Sequence, residues 1–204
     1  MTGTDRFTGH IAGLGTASGT RLVVGAWDAS PWGAFADVML ERSDGLRVLL
    51  APDQRVADYV AATYTFDEVR IGPIEVRPGA RWSVRAPGLT LTFTPGRRRP
   101  VTLALRAVPP PVRHSESFAR LCDPIARRLM PGVRTHGSAG NGRTEWYAAR
   151  EVRAITACTA TWEGHDLGAL APVRPAVRFG FGSAPAAPSL TAITSHVRTP
   201  APLA

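Results

Sequence analysis

Turn-forming dipeptides recur at short intervals along this 204-residue chain and divide it into short apolar runs. Three of them are Pro-Gly pairs that begin at Pro78, Pro87 and Pro95. A further pair, Asp44-Gly45, separates the apolar runs 34–42 and 46–51, which is a strong hairpin signal. Such spacing is typical of antiparallel meanders, sandwiches and barrels. We therefore expect a mainly β fold (α+β at the margin), built as an antiparallel β-barrel or an open, cone-like barrel.

Two segments change from strand-like alternation to helical spacing. The apolar residues of 53–63 share one helical face, and Asp53 is suited to cap the N-terminus of that helix. Residues 115–130 form a second apolar stripe, in which we expect Pro124 to break the helix and Asp123 to cap a further turn. Two or three short helices should therefore lie outside the barrel or across one end.

The length of the chain suits one domain. We expect a single β-barrel-like domain over residues 1–198, with an internal crossing at Pro109–Pro111 and a disordered tail at 199–204. The remaining strand candidates lie at 99–108, 143–164, 175–183 and 189–197. The longest of these is either one bent strand or two strands.

All 24 basic residues of the chain are arginine, and the net charge is +8. The arginines are scattered, with the densest run at Arg97–Arg99 in a predicted turn. Because nucleic-acid binders concentrate positive charge on one face and carry a recognisable motif, nucleic acid is not an expected partner. The absence of lysine excludes a lysine Schiff base and a phosphate-binding P-loop lysine.

Other patterns restrict the cofactors and the location. The five histidines lack metal-ligand spacing and no dinucleotide fingerprint is present, so we expect neither a metal nor another cofactor. Cys122 and Cys158 lie among apolar or small residues, which favours buried thiols over a nucleophile. No stretch approaches about 18 apolar residues, and the N-terminus has no signal-peptide pattern. The expectation is a soluble cytoplasmic protein with no membrane partner.

The most unusual loop is HGSAGNGRTEWY, residues 136–147. A phosphate loop needs a helix N-terminus after its glycines. Here a strand-like alternation follows, so the sequence favours a hairpin loop at the rim of a pocket. Strand parity places Arg143, Glu145 and Tyr147 on one face of that strand and Trp146 on the other.

A second unusual stretch is GAWDASPWGAFADVM, residues 25–39, which brings Trp27 close to Asp37. Strand parity puts Asp37 on the same face as Phe35 and Met39. If that face lines a barrel interior, Asp37 could act as a general base with a raised pKa. Alternatively, the face is simply the outer one.

These residues support one main functional hypothesis, a small-molecule binding protein or cofactor-free enzyme with an arginine-lined pocket for an apolar carboxylic acid. The expected ligand-binding residues, whose arginines would clamp the carboxylate, are Trp27, Arg134, Arg143, Trp146, Tyr147 and Arg178. The expected proton-transfer residues are Asp37, His136 and Glu145. The alternative is a non-catalytic interaction protein whose basic surface meets an acidic partner. Catalysis itself and the oligomeric state stay open.

Three segments resemble a group of uncharacterised actinobacterial proteins: WDASPWGAFADVM, LLAP with VADYVAATYTFDEVR, and PAVRFGFGS. More distantly, ATWEGHDLGALAPV followed by a strand with TSHV is similar to the C-terminal part of acetoacetate-decarboxylase-like β-barrels. This resemblance covers under a quarter of the chain and implies a barrel fold. It does not imply decarboxylation, because that family uses a lysine Schiff base and this chain has no lysine.

Overall fold

The structure is a computed structural model that describes residues 3–138, 142–180 and 184–199. Its strands are β1 Thr4–Thr16, β2 Arg21–Ala29, β3 Phe35–Glu41, β4 Arg47–Ala51, β5 Glu68–Ile71, β6 Glu75–Arg77, β7 Trp82–Ala86, β8 Leu89–Arg98, β9 His136–Ser138, β10 Thr144–Trp162, β11 His165–Asp166, β12 Leu170–Ala171 and β13 Ser189–Arg198. Its helices are α1 Gln54–Ala61, α2 Val101–Ala107, α3 Pro110–Arg113 and α4 Glu116–Leu129.

These strands form one sheet that curls strongly into an open half-barrel, which confirms the mainly β prediction. Neighbouring strands follow the order β5-β4-β3-β2-β1-β13-β10-β8-β7-β6, and only β4 and β5 pair in parallel among them. The curl is strong enough that His10 of β1 contacts Trp82 of β7 at a ring distance of 5.2 Å, although three strands separate β1 from β7.

Buried apolar side chains cover both faces of the sheet. On the concave face, alternate residues such as Leu22, Val38 and Leu91 form the larger core. On the convex face, residues of the opposite parity pack against α1 and the segment 173–184. Because both faces are covered, a polar side chain on either one has to find a partner or a cavity.

Several local predictions are confirmed. The pair Asp44-Gly45 lies in the hairpin between β3 and β4, and Gly45 has a φ of 91°. Asp53 caps α1, because its Oδ1 accepts a hydrogen bond of 2.9 Å from the backbone nitrogen of Val56. The stretch 143–164 is one strand, β10, in which the pairing register with β13 shifts between Ala149 and Glu151.

Three other predictions are wrong. Residues 99–108 form α2 in place of a strand, because Leu, Ala and Arg are good helix formers and the Thr102 hydroxyl bonds the Val152 backbone instead of a strand neighbour. Pro124 lies inside a continuous α4, where it is exposed. The carbonyl that loses its donor belongs to Arg120, also exposed, so water can replace the bond. Residues 175–180 of the strand predicted at 175–183 contain no strand, and residues 181–183 lie outside the described residues.

The other expectations have mixed outcomes. The proline run at 109–111 begins a short helix, α3, so the structure contains four helices within the described residues and not two or three. Cys122 and Cys158 are free, partly buried thiols. Residues 200–204 of the expected tail lie outside the described residues. No helix in the described part of the chain is long and apolar enough to cross a membrane.

Candidate functional site

A small cavity lies on the convex face of the sheet, beneath α1. Its volume is about 60 Å³, and α1 with the turn after it forms the roof. The floor is the outward-facing parity of five neighbouring strands, β3, β2, β1, β13 and β10. The lining residues are Phe7, Ile11, Val23, Gly25, Trp27, Phe35, Asp37, Met39, Tyr59, Val60, Thr63, Tyr64, Glu145, Tyr147, Ser195 and Val197.

The side chain of Asp37 is an acidic group buried in this cavity, with 4% of its surface exposed. Its Oδ1 accepts a hydrogen bond of 2.9 Å from Trp27 Nε1, and its Oδ2 accepts none from the described residues. Burial raises the pKa of Asp37 to about 7, and the bond from Trp27 opposes that rise. A Cβ atom on Gly25 would lie 2.4 Å from Asp37 Oδ1, so the hydrogen bond between Trp27 and Asp37 requires glycine at position 25.

Glu145 is the second buried acid of the cavity, and hydroxyl groups surround it. Its Oε1 accepts from Ser195 Oγ at 2.7 Å, its Oε2 accepts from the Tyr64 hydroxyl at 2.8 Å, and Tyr147 also bonds to it. Burial raises the pKa of Glu145, whereas the three hydroxyl donors lower it. The carboxyl group is therefore held in place by three hydroxyl groups, which supply the hydrogen bonds that a buried acid needs.

Aromatic rings form much of the remaining wall. Phe7 lies at the centre of this group, with ring distances of 5.8 Å to Trp27, 6.2 Å to Phe35 and 5.4 Å to Tyr59. The Tyr59 hydroxyl donates to Asp5 Oδ2 at 3.0 Å, so that ring is fixed at its far end. The faces of such rings carry partial negative charge and attract cations.

Arg143 holds the roof of the cavity in place. Its Nη1 donates to the Tyr59 carbonyl at 3.2 Å and to Thr63 Oγ1 at 3.0 Å, and its guanidinium lies 4.5 Å from the centre of the Tyr59 ring. These groups belong to the last turn of α1 and the residues that follow. Arg143 is thus a structural contact to α1 and does not line the cavity.

The structure brings four of the predicted site residues to this cavity: Trp27, Asp37, Glu145 and Tyr147. The predicted parity of β10 is confirmed, because Glu145 and Tyr147 face the cavity and Trp146 faces the other way. Of the two alternatives for the Asp37 face, the structure has the outer one. That face nevertheless encloses a cavity, because α1 covers it.

The three arginines of the expected clamp do not converge. Arg134 Nε bonds to Asp123 of α4 at 3.1 Å, and Arg178 Nε bonds to the buried Glu41 at 2.8 Å. Neither one lines the cavity. Their pairing with acids of the same chain explains their positions.

Trp146 and His136 belong to a separate cluster. The Trp146 ring stacks on His196 at 5.0 Å, and its Nε1 donates to the His114 carbonyl at 3.0 Å. His136 Nε2 lies 3.1 Å from Glu116 Oε1, and Glu116 also pairs with Arg198. This cluster anchors α3 and the start of α4 to the sheet.

The lining residues that were not predicted as site residues include three with hydroxyl groups, Tyr59, Tyr64 and Ser195. Tyr59 was visible only as part of the apolar face of α1. Ser195 lies in β13, whose pairing with β10 spans about 50 residues of sequence. No local signal indicated that the hydroxyls of Tyr64 and Ser195 would meet Glu145.

Within the described ranges, no group of three or more histidine, cysteine or acidic side chains could hold a metal ion. In comparisons with protein-family models, with curated proteins and with solved structures, none matches this chain. The resemblance to acetoacetate-decarboxylase-like barrels therefore stays a prediction, and the geometry of the cavity is the basis for function.

Proposed function

We propose that this protein binds a small organic cation, a primary or methylated ammonium group, in the cavity beneath α1. The observation that carries the proposal is Asp37 Oδ2, which lies in an aromatic-walled cavity and accepts no hydrogen bond from the described residues. A primary ammonium group would donate to that oxygen, whereas a fully methylated one would pair with the ionised carboxylate by charge and lie against the rings. The small-molecule hypothesis from the sequence is kept, with carboxylates in place of arginines as the polar contacts.

The charge of the cavity supports this class of ligand. The chain carries a net charge of +8, yet the cavity is lined by Asp37 and Glu145 and by no arginine. An apolar carboxylic acid would place a third acidic group beside these two, which favours protonation over binding of the anion. A cation would instead lower the cost of ionising Asp37 inside the protein.

The size of the cavity limits the part of the ligand that it holds. A buried water needs at least about 10–15 Å³ measured in this way, so about 60 Å³ holds roughly four to six waters or a group of that size. Tetramethylammonium has a comparable number of heavy atoms. We therefore expect a compact head group, with any longer part of the ligand directed toward solvent.

Isothermal titration calorimetry with three probes of similar shape tests the proposal. Tetramethylammonium is the cation, tert-butanol the neutral analogue and pivalate the anion. We expect tetramethylammonium to bind most tightly, and its affinity to rise with pH through pH 7, because Asp37 has a pKa of about 7 and binds the cation when ionised. A carboxylic acid ligand would show the opposite pH dependence.

Two variants localise the binding. Asp37→Asn keeps the acceptor for Trp27 but removes the charge, and should weaken tetramethylammonium about 10- to 100-fold. Asp28→Asn makes the same change at an exposed neighbour outside the cavity, and should leave binding unchanged. Tighter binding of pivalate than of tetramethylammonium, or no binding of any probe, would contradict the proposal.

A cofactor-free enzyme is the second candidate, and the pKa of Asp37 near 7 favours it. A carboxyl that titrates near neutral pH and faces a small cavity is suited to general acid–base catalysis. This proposal predicts that an amine identified by binding is slowly converted by the wild-type protein and left unchanged by Asp37→Asn. Product analysis by mass spectrometry distinguishes a converted ligand from one that is only bound.

A further inference from the structure

The second hypothesis from the sequence, a basic surface for an acidic partner, directs attention to helices α2–α4. Helices α2–α4 run along the edge of β10, between the residues paired with β9 and those paired with β8. We call the outward side of these helices the helical surface. Its exposed large apolar side chains, and its exposed arginines that form no ion pair within the described residues, are Leu103, Arg106, Val112, Leu121, Ile125, Arg127 and Arg128.

Positive charge concentrates in this region. Residues 97–134 contain nine of the 24 arginines and only two of the 16 acidic residues, an excess of seven in a chain whose net charge is +8. Arg106, Arg127 and Arg128 are exposed and form no ion pair within the described residues. The stretch that contains the end of β8 and helices α2–α4 therefore carries most of the net positive charge of the chain.

Exposed apolar side chains concentrate in the same place. Of the six large apolar residues that are exposed within the described part of the chain, four lie on α2–α4. Leu103 is 76% exposed and Leu121 is 72% exposed, so their tips project outward. Between α2 and α4 lies an apolar cleft of about 290 Å³, which Phe118 and Ile125 line. Isolated exposed leucines are common, but a group beside a cleft indicates an interaction site.

The geometry points to the surface of an anionic phospholipid bilayer as the partner of the helical surface. Leu121, Ile125 and Arg128 lie at i, i+4 and i+7 of α4 and so share one stripe. Projecting apolar tips can enter the acyl region while arginines at their sides meet lipid phosphates. Such binding is peripheral and needs no spanning helix.

Charge favours this partner over a second copy of the chain. Two helical surfaces placed face to face would bring two sets of unpaired arginines together, which is unfavourable. An acidic lipid surface instead supplies many anions across a broad area, at any orientation of the side chains. The projecting leucines also extend beyond the cleft, where a peptide held inside the cleft would not contact them.

Sedimentation with lipid vesicles tests this inference, which is independent of the cavity and its ligand. The full chain is mixed with vesicles of pure phosphatidylcholine, or with an equimolar mixture of phosphatidylcholine and phosphatidylglycerol. We expect binding to the anionic vesicles that weakens with added salt. Arg127→Gln with Arg128→Gln should weaken it about fivefold per arginine and about 25-fold together. Leu121→Ser with Ile125→Ser should weaken it about tenfold or more.

Matched controls use exposed residues on other elements. Arg81→Gln with Arg85→Gln removes the same charge near β7, and Val69→Ser with Ile71→Ser removes exposed apolar side chains of β5. Both should bind as the wild type does, and circular dichroism shows whether each variant is folded. The inference is overturned if controls and helical variants behave alike, or if neither vesicle binds. It is equally overturned if the wild-type protein binds no vesicles but self-associates, and Leu121→Ser with Ile125→Ser abolishes that self-association, because the helical surface would then bind a second copy of the chain.

Discussion

Replacing Asp37 by asparagine should change how the stability of the protein depends on pH. The pKa of Asp37 is raised from 3.8 to about 7 in the folded protein, because the carboxyl is buried. Between these two values the unfolded chain releases a proton that the folded chain retains. The contribution of Asp37 to the free energy of unfolding is therefore fully present below pH 3.8 and is lost as the pH rises to about 7. Asparagine does not titrate, so the variant lacks this loss.

The size of the effect follows from the shift. Each unit of pKa corresponds to about 1.36 kcal/mol, so the whole range from 3.8 to about 7 amounts to about 4 kcal/mol. Between about pH 5 and pH 8, where the protein is easier to handle, the change is about 2.5 kcal/mol. Asp37→Asn should become more stable relative to the wild type by that amount as the pH increases.

Urea denaturation of both proteins at several pH values measures the difference in the free energy of unfolding. Other titrating groups, such as Glu116 and His196, are present in both proteins and cancel in that difference. Asp28→Asn serves as the matched control, and its difference from the wild type should stay nearly constant with pH. A constant difference for Asp37→Asn as well would refute the raised pKa and with it the buried acid at the centre of the cavity.

Two further substitutions test other parts of the structure. Glu41→Gln should lower the free energy of unfolding, measured by urea titration, by about 3–5 kcal/mol. The substitution leaves the buried Arg21 guanidinium, 2.9 Å away, without its counter-charge. A loss no greater than that caused by Glu75→Gln, at an exposed position, would contradict this prediction. Asp53→Ala should cost about 1 kcal/mol by removing the cap of α1 and should also weaken tetramethylammonium binding in calorimetry, whereas Asp58→Ala in the same helix keeps both.

The sequence predicts the faces of strands well, because alternation is a local property. Parity alone grouped Asp37 with Phe35 and Met39, and Glu145 with Tyr147, as the structure has them, but it left open which face is the outer one. What parity cannot show is which side another element covers. The roof over both residues is α1, whose position depends on contacts with β4 and with Arg143, which immediately precedes the distant strand β10. The cavity is therefore a tertiary feature that no single segment contains.

The partners of the arginines also could not be predicted from the neighbouring sequence. Arg134 and Arg178 looked free because no acid lies near them in sequence, yet Asp123 and Glu41 meet them in the fold. Composition likewise suggested scattered charge, although residues 97–134 hold most of the excess. The prediction of a strand at 99–108 was wrong because the local sequence is ambiguous. A short run of alternating apolar residues fits either a strand or one face of a helix.

The position of β13 has a consequence for how the chain folds. This strand lies between β1 and β10 and is the sole link between the halves β1–β5 and β6–β10 in the order of the described sheet. Thr4 pairs with Arg198, so the central ladder joins residues that are almost 200 positions apart. Contacts between residues so far apart in sequence form late, and they slow folding. Until they form, β1 and β10 each present an unpaired edge, so aggregation during refolding should begin at these two strands.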